Sequence, residues 1–347
     1  MELLSKILST RRAHNSAQEL EFVAWLRKHL AELGHKVEDL PGGCFAVTTD
    51  TASQTMFSCH VDTVHIPSPV GQAVFYDEAM GHVFLGKDSA SNCLGADDGA
   101  GIWLMVNMIA AKVPGTYVFH RGEEVGCIGS KAILTAFPAF LSKFKACVAF
   151  DRPDNYEVII KQSGLECASE VYGTALATAL SQFGMKYEIS DRGVITDSKI
   201  YREKIRECVN IGVGYYSQHT PNEYLDFDHL VNLLEAVKRI DWDKLPVARE
   251  LPKPVIYRDF MQPSKPKVTK APPSLGFKGL SAKKQKLRSK VSERDLRDYT
   301  GVDLRELSYD ELLSFADNDY DVADSILDLL LAYSAIKAER DTLRRLI

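Results

Sequence analysis

The stretch Tyr117-Val-Phe-His120-Arg-Gly-Glu123-Glu124-Val-Gly126 sets two adjacent carboxylates just beyond a short apolar run. On an extended segment neighbouring side chains point in opposite directions, so one acid can face a metal ion while the other faces a water beside it. Such a pair alone is ordinary on a solvated surface, but four other segments share its design. They are Phe57-Ser-Cys-His60-Val-Asp62, Leu94-Gly-Ala-Asp97-Asp98-Gly-Ala-Gly101, Cys147-Val-Ala-Phe-Asp151 and Tyr215-Tyr-Ser-Gln-His219. Apolar or aromatic runs precede His60, the Glu123-Glu124 pair and Asp151, and His219 follows the run Val209 to Tyr216. In an open α/β sheet the carboxyl ends of strands line the ligand crevice, so polar residues repeated at strand ends read as one shared site. Asp97 precedes Gly99-Ala-Gly101 and the helical series Ile102, Met105, Val106 and Ile109, which places it at a helix N-terminus near the same edge.

The donor set limits the chemistry. Two histidines and three carboxylates (His60, Asp97, the Glu123-Glu124 pair, Asp151 and His219) exceed the four ligands of a single tetrahedral zinc. They suit two ions about 3.5–4 Å apart that share one carboxylate. A further carboxylate that is not a ligand is needed to move a proton, and Glu123 and Glu124 divide the base and ligand roles between them. Asp62, two residues beyond His60, is placed to orient that imidazole. Zinc suits imidazole and carboxylate donors, and cobalt and manganese accept the same set.

In its order of His-x-Asp, Gly-Ala-Asp-Asp, Glu-Glu, Asp and His, the chain resembles the two-zinc exopeptidases that include secreted zinc aminopeptidases, peptidase T and zinc carboxypeptidases. The resemblance implies an α/β fold with a mixed, mostly parallel sheet covered by helices on both faces. It implies that Asp97 bridges two zinc ions, with His60 and Asp151 on one, Glu124 and His219 on the other, and Glu123 as general base. It also implies a cis Asp97–Asp98 peptide, with Asp98 not a ligand, and Thr196-Asp197-Ser198 resembles a substrate-side motif of some relatives. The chain departs from other branches in its spacings. Only 68 residues separate Asp151 from His219 and 37 separate His60 from Asp97, too few for the domains that those branches insert. The histidine that an inserted domain gives to the oxyanion in some relatives has no counterpart, and Tyr215, Tyr216 and Tyr224 are the substitutes to test.

The implied activity is that of an aminopeptidase on short peptides. One alternative keeps the metal site and hydrolyses N-acyl amino acids. Another is a non-enzymatic scaffold that presents C-terminal helices. His65 and His120 fall off the ligand positions and read as supporting or structural, and Cys59 reads as core packing because its side chain should point away from that of His60.

Composition fits an ordinary globular protein: 347 residues, 45% hydrophobic and 26% charged, with a net charge of −5 that gives no global argument for nucleic acid. Seven dispersed cysteines without a C-x-x-C pair read as reduced thiols and a cytoplasmic location. The N-terminus shows no basic stretch followed by an apolar core, and no 18-residue apolar run predicts a membrane span.

Residues 1–245 read as the catalytic domain. Apolar spacing predicts a helix from Ser16 to Leu33, others over about 166–183 and about 228–240, and strands alternating between them. Residues 246–290 read as a Pro/Lys-rich linker, and the part from Lys253 to Lys290 carries eleven Lys/Arg and one acid, Asp259. No aromatic stacking pattern accompanies these cations, so nucleic acid is not the expected partner. Residues 291–347 read as an acidic α-helical segment, with Ser308-Tyr-Asp-Glu311 as a capping box and helices over 308–347 suited to self-association or docking.

Overall fold

The structure, a computed structural model, describes residues 1–87 and 89–252. The basic stretch from 253 and the acidic segment 291–347, with its predicted helices, lie outside the described residues.

Two helices open the chain, α1 (Glu2–Leu8) and α2 (Ala17–Glu32). Ser16 caps α2 by accepting the Glu19 N–H, and Phe22, Val23, Leu26 and Leu30 form its buried stripe. Strands β1 (Val37–Asp39), β2 (Phe45–Thr48), β3 (Thr55–His60), β4 (Val74–Asp77) and β5 (His82–Leu85) precede helix α3 (Ala96–Ala110). Then come β6 (Thr116–His120), α4 (Ile128–Ala136), α5 (Pro138–Leu141), β7 (Ala146–Arg152), β8 (Glu157–Ile159), β9 (Lys161–Gln162), β10 (Leu165–Glu166), α6 (Glu170–Ser181) and β11 (Glu188–Ser190). The described part closes with α7 (Asp197–Ile200), β12 (Glu207–Gly212), β13 (Tyr215–Tyr216), β14 (Tyr224–Asp226) and α8 (Phe227–Val237).

The main sheet has eight strands in the order β1-β2-β6-β3-β7-β12-β8-β11. Its centre, β6-β3-β7-β12, is parallel, while β1/β2, β2/β6 and β12/β8 pair antiparallel, so the sheet is mixed as expected. Strict alternation along the central strands explains why both faces are covered. Phe57, Tyr117, Val148 and Val209 pack into the core containing α3, α6 and α8. Their chain neighbours Met56, Val118, Cys147 and Cys208 pack on the opposite face with Ile133 of α4 and Tyr201 after α7. Cys59 falls in the first of these cores, on the face away from Ser58.

A second, four-stranded sheet in the order β13-β14-β5-β4 is antiparallel. The apolar run expected as one strand from Val209 to Tyr216 is divided between the two sheets. The break falls at Val213-Gly214, where Gly214 has a φ of 92°, a conformation that glycine adopts without steric cost. Beyond the predicted domain limit at 245 the chain still packs: Ala248 and Arg249 donate their N–H groups to Glu207 Oε1 at 2.7 and 2.8 Å. Among the described residues no helix is long and apolar enough to cross a membrane.

Candidate metal centre

The strands end where the donors lie. β3 ends on His60, β7 carries Asp151 as its penultimate residue, and the turn after β6 carries Glu123 and Glu124. Asp97 sits in the non-helical first turn of α3, and His219 in the turn between β13 and β14. The five predicted ligands converge from these separate segments into two groups, His60-Asp97-Asp151 and Asp97-Glu124-His219. His60 Nε2 is 3.1 Å from Asp97 Oδ1 and 3.5 Å from Asp151 Oδ1. His219 Nε2 is 3.2 Å from Asp97 Oδ2 and 3.1 Å from Glu124 Oε1.

These separations test whether the residues fit a metal. Ligand bonds of about 2.0–2.1 Å in a tetrahedron give ligand–ligand edges of about 3.3 Å. These contacts fall around that edge, and each oxygen of Asp97 belongs to a different group. The donor types also suit zinc, so the residues fit a pair of such ions.

Backbone and side-chain contacts hold the donors in place. His60 Nδ1 donates to the Asp62 carbonyl at 3.0 Å, which turns Nε2 toward Asp97 and Asp151. Asp62 thus orients His60 mainly through its main chain, its carboxylate being 3.8 Å from Nδ1. That carboxylate instead accepts the N–H groups of Gly122, Glu123 and Glu124 at 2.7, 3.2 and 3.2 Å. The acid pair therefore sits in a turn rather than on a strand, and three bonds to one buried carboxylate separate the two side chains, not strand alternation. The Asp97–Asp98 peptide is cis, as the resemblance implied. Asp98 turns away from the donors and accepts from His60 N at 3.1 Å and Gly101 N at 2.9 Å.

Without cations the cluster is electrostatically crowded. Burial, followed by the charges of Asp97 and Asp197 and opposed by His60, pushes Asp151 up to about 7. Burial, with Asp151, Asp197 and Glu124 nearby and His60 opposing, pushes Glu123 well above the usual carboxylate range. Hydrogen bonds that its ring donates to the Asp97 and Glu124 carboxylates raise His219 to about 10. Burial disfavours a charged His60, but Asp151 and Asp97 hold its pKa well above the ordinary value.

Several positioning residues escaped the sequence reading. Glu223, fully enclosed, accepts the N–H groups of Leu94, Gly95 and Asp97 at 2.8, 2.9 and 3.0 Å and so fixes the approach to α3. Asn210 clamps Asp151 by accepting its N–H at 3.0 Å and donating to its carbonyl at 2.6 Å. Arg12, 0% exposed, donates to Val61 O and Gly95 O, both at 2.9 Å, tying the His60 loop to the Asp97 loop. The only sequence signals were a polar residue inside the β12 run and an acid four residues after His219.

The tyrosines divide. Tyr215 donates to Asp151 Oδ1 at 3.3 Å, whereas Tyr216 and Tyr224 stack on each other at 5.0 Å. Asp197 is buried and bonded by Ser130 Oγ at 2.5 Å, with His120 Nδ1 3.4 Å away and His120 Nε2 2.7 Å from the Tyr201 hydroxyl. His65 is enclosed by Thr63, Gln72 and the Cys93 carbonyl, a structural arrangement.

No family model matches the chain, and no curated protein matches it. Solved structures do. Aminopeptidase PepT from Bacillus cereus aligns with a TM-score of 0.53 at 15% identity, over 68% of this chain and 95% of that one. A tripeptidase from Staphylococcus aureus aligns with a TM-score of 0.55 at 14% identity, over 68% and 95%. LapA aminopeptidase from Legionella pneumophila aligns with a TM-score of 0.51 at 16% identity, over 70% and 68%. The fold is that of these peptidases. At such low identity the likeness shows the fold alone.

Proposed function

We propose that the protein is a metal-dependent exopeptidase, an aminopeptidase on short peptides, and that its centre holds two zinc ions. His60, Asp97 and Asp151 would hold one, and Asp97, Glu124 and His219 the other. The observation that carries this reading is the two-sided placement of Asp97, whose oxygens lie 3.1 and 3.2 Å from imidazoles supplied by different segments. Two such cations supply Lewis acidity, which polarises a scissile carbonyl and brings a water's pKa down toward about 7.

The chain's own residues do the rest. Glu123, half-buried beside the donors and with no bond to an imidazole among the described contacts, takes the proton from the attacking water at its carboxylate and returns it to the departing amine. Asp62 holds the turn that keeps Glu123 and Glu124 in separate roles. Asn210 and Tyr215 keep Asp151 aimed, and Glu223 and Arg12 keep Asp97 and His60 at their mutual distance. The seven cysteines are free and buried, which supports placing the protein in the cytoplasm.

Metal-loaded protein is expected to hydrolyse peptides with a free N-terminal amine. Glu123→Gln should lower kcat about 10²–10⁴-fold with metal content unchanged. Cleavage of N-acyl amino acids with none of free-amine peptides would favour the deacylase reading. Two bound ions without hydrolysis of either class would favour a scaffold.

A further inference from the structure

The four-stranded sheet presents two unlike faces. Val83, Leu85, Tyr215 and Leu225 point into the core. The other face carries a row of rings in direct cross-strand register, Tyr216 opposite Tyr224, Tyr224 opposite Phe84 and Phe84 opposite Phe75. His82 stacks on Tyr224 with centroids 4.8 Å apart, and Tyr224 on Tyr216 at 5.0 Å. The row stays open to solvent at its far end, where Phe75 is 50% and nearby Met80 57% exposed. An aromatic row on a solvent-facing sheet is a place to look for a ligand.

Part of this face forms a cleft of ≈ 490 Å³ whose lining includes Met80, His82, Phe84, Lys87, Pro221 and Tyr224. The cleft and the candidate centre share structural parts. Two of the sheet's four strands, β13 and β14, are those whose connecting turn carries His219. Glu223, another wall residue, is the one that accepts the Asp97 N–H. The volume is of the size that takes a small ligand or a short peptide segment. Among the described lining residues the cation is Lys87, exposed and next to the aromatic wall, while the carboxylate of Glu223 is spent on backbone N–H groups.

We propose that this cleft binds the C-terminal part of a short peptide substrate, seating an aromatic or large apolar side chain against His82, Phe84 and Tyr224 and the free carboxylate at Lys87. This rests on the exopeptidase reading and adds the substrate class: short peptides that end in an apolar residue with an unblocked carboxylate.

The test compares Leu-Gly-Phe, its C-terminal amide, Leu-Gly-Gly and leucine amide as substrates of the metal-loaded full chain. Wild-type protein should favour Leu-Gly-Phe over both the amide and Leu-Gly-Gly. Phe84→Ala should raise KM for Leu-Gly-Phe about tenfold with kcat unchanged, the mark of lost uniform binding. Lys87→Ala, at an exposed position that folding does not depend on, should bring the acid and amide to equal KM. Leucine amide, too short to enter the cleft, should be cleaved equally by all three proteins. Failure to cleave any substrate would remove the hydrolase reading itself. Cleavage with KM values and an acid-to-amide ratio that both variants leave unchanged would overturn the cleft proposal alone. So would an effect of Phe84→Ala on the sedimentation coefficient rather than on KM, because the face would then belong to a second copy of the chain.

Discussion

Asp97 organises the centre at the scale of single residues, because it is the one side chain shared by both donor groups. Its neighbours act through it or through Asp151. The Tyr215 hydroxyl, which sequence alone offered as an oxyanion donor, is already engaged by Asp151. Tyr215→Phe is therefore expected to weaken metal binding about tenfold, read by calorimetric zinc titration, while Tyr216→Phe leaves affinity unchanged. Unchanged affinity in Tyr215→Phe with a slower kcat would return Tyr215 to the oxyanion role. The five proposed ligands were legible because each is a metal-competent side chain set beside an apolar run or a glycine-flanked helix start. Glu223, Asn210 and Arg12 were not, because their partners are backbone groups brought near only by tertiary structure, and nothing in a buried arginine's sequence neighbourhood tells it from a surface one.

Secondary-structure elements decide where those donors point. The succession of strand and helix signals was readable and implied a sheet with helices on both faces; Ser16 and Asp226 cap α2 and α8, near the expected helix starts. The helix expected over about 166–183 starts later, at Glu170, because Ser169 caps it and Leu165-Glu166 pair with β9. The turn after β6 and the division of the Val209–Tyr216 run were hidden, since both depend on distant partners. One strand edge has a pH signature. Glu157 opens β8 with its carboxylate buried and paired to Arg152 and Arg192. Burial would raise its pKa, but the two arginines hold it at about 2. An unfolded glutamate titrates near about 4.3, so this stabilisation is full above that pH and fades as pH falls through about 2. Glu157→Gln should cost about 3 kcal/mol in urea unfolding at pH 7, and the cost should shrink at pH 3. An equal cost at both pH values would contradict the ion-pair account.

Over the whole molecule, convergence of the donors crowds Asp97, Asp98, Glu123, Glu124 and Asp151 into one buried region. Cations that bind only the folded chain should stabilise it, by about 2.7 kcal/mol at a hundredfold excess over Kd, so a chelator should lower Tm. Asp151, at about 7, and His219, at about 10, must give up protons to become ligands. Metal loading should therefore release protons and weaken as pH falls through about 10, more steeply below about 7. Affinity independent of pH between 5 and 8 would speak against these ligands. The α/β architecture itself was legible from the resemblance carried by the order of motifs, whereas the small sheet and its aromatic face were not, because short strands in a hairpin lack a strong period. The most direct test of a shared two-metal centre is native mass spectrometry during zinc titration of wild-type and Asp97→Asn protein. Wild type should saturate at two ions per chain and Asp97→Asn at one or none; a wild type that stops at one, or a variant that still takes two, would contradict the account.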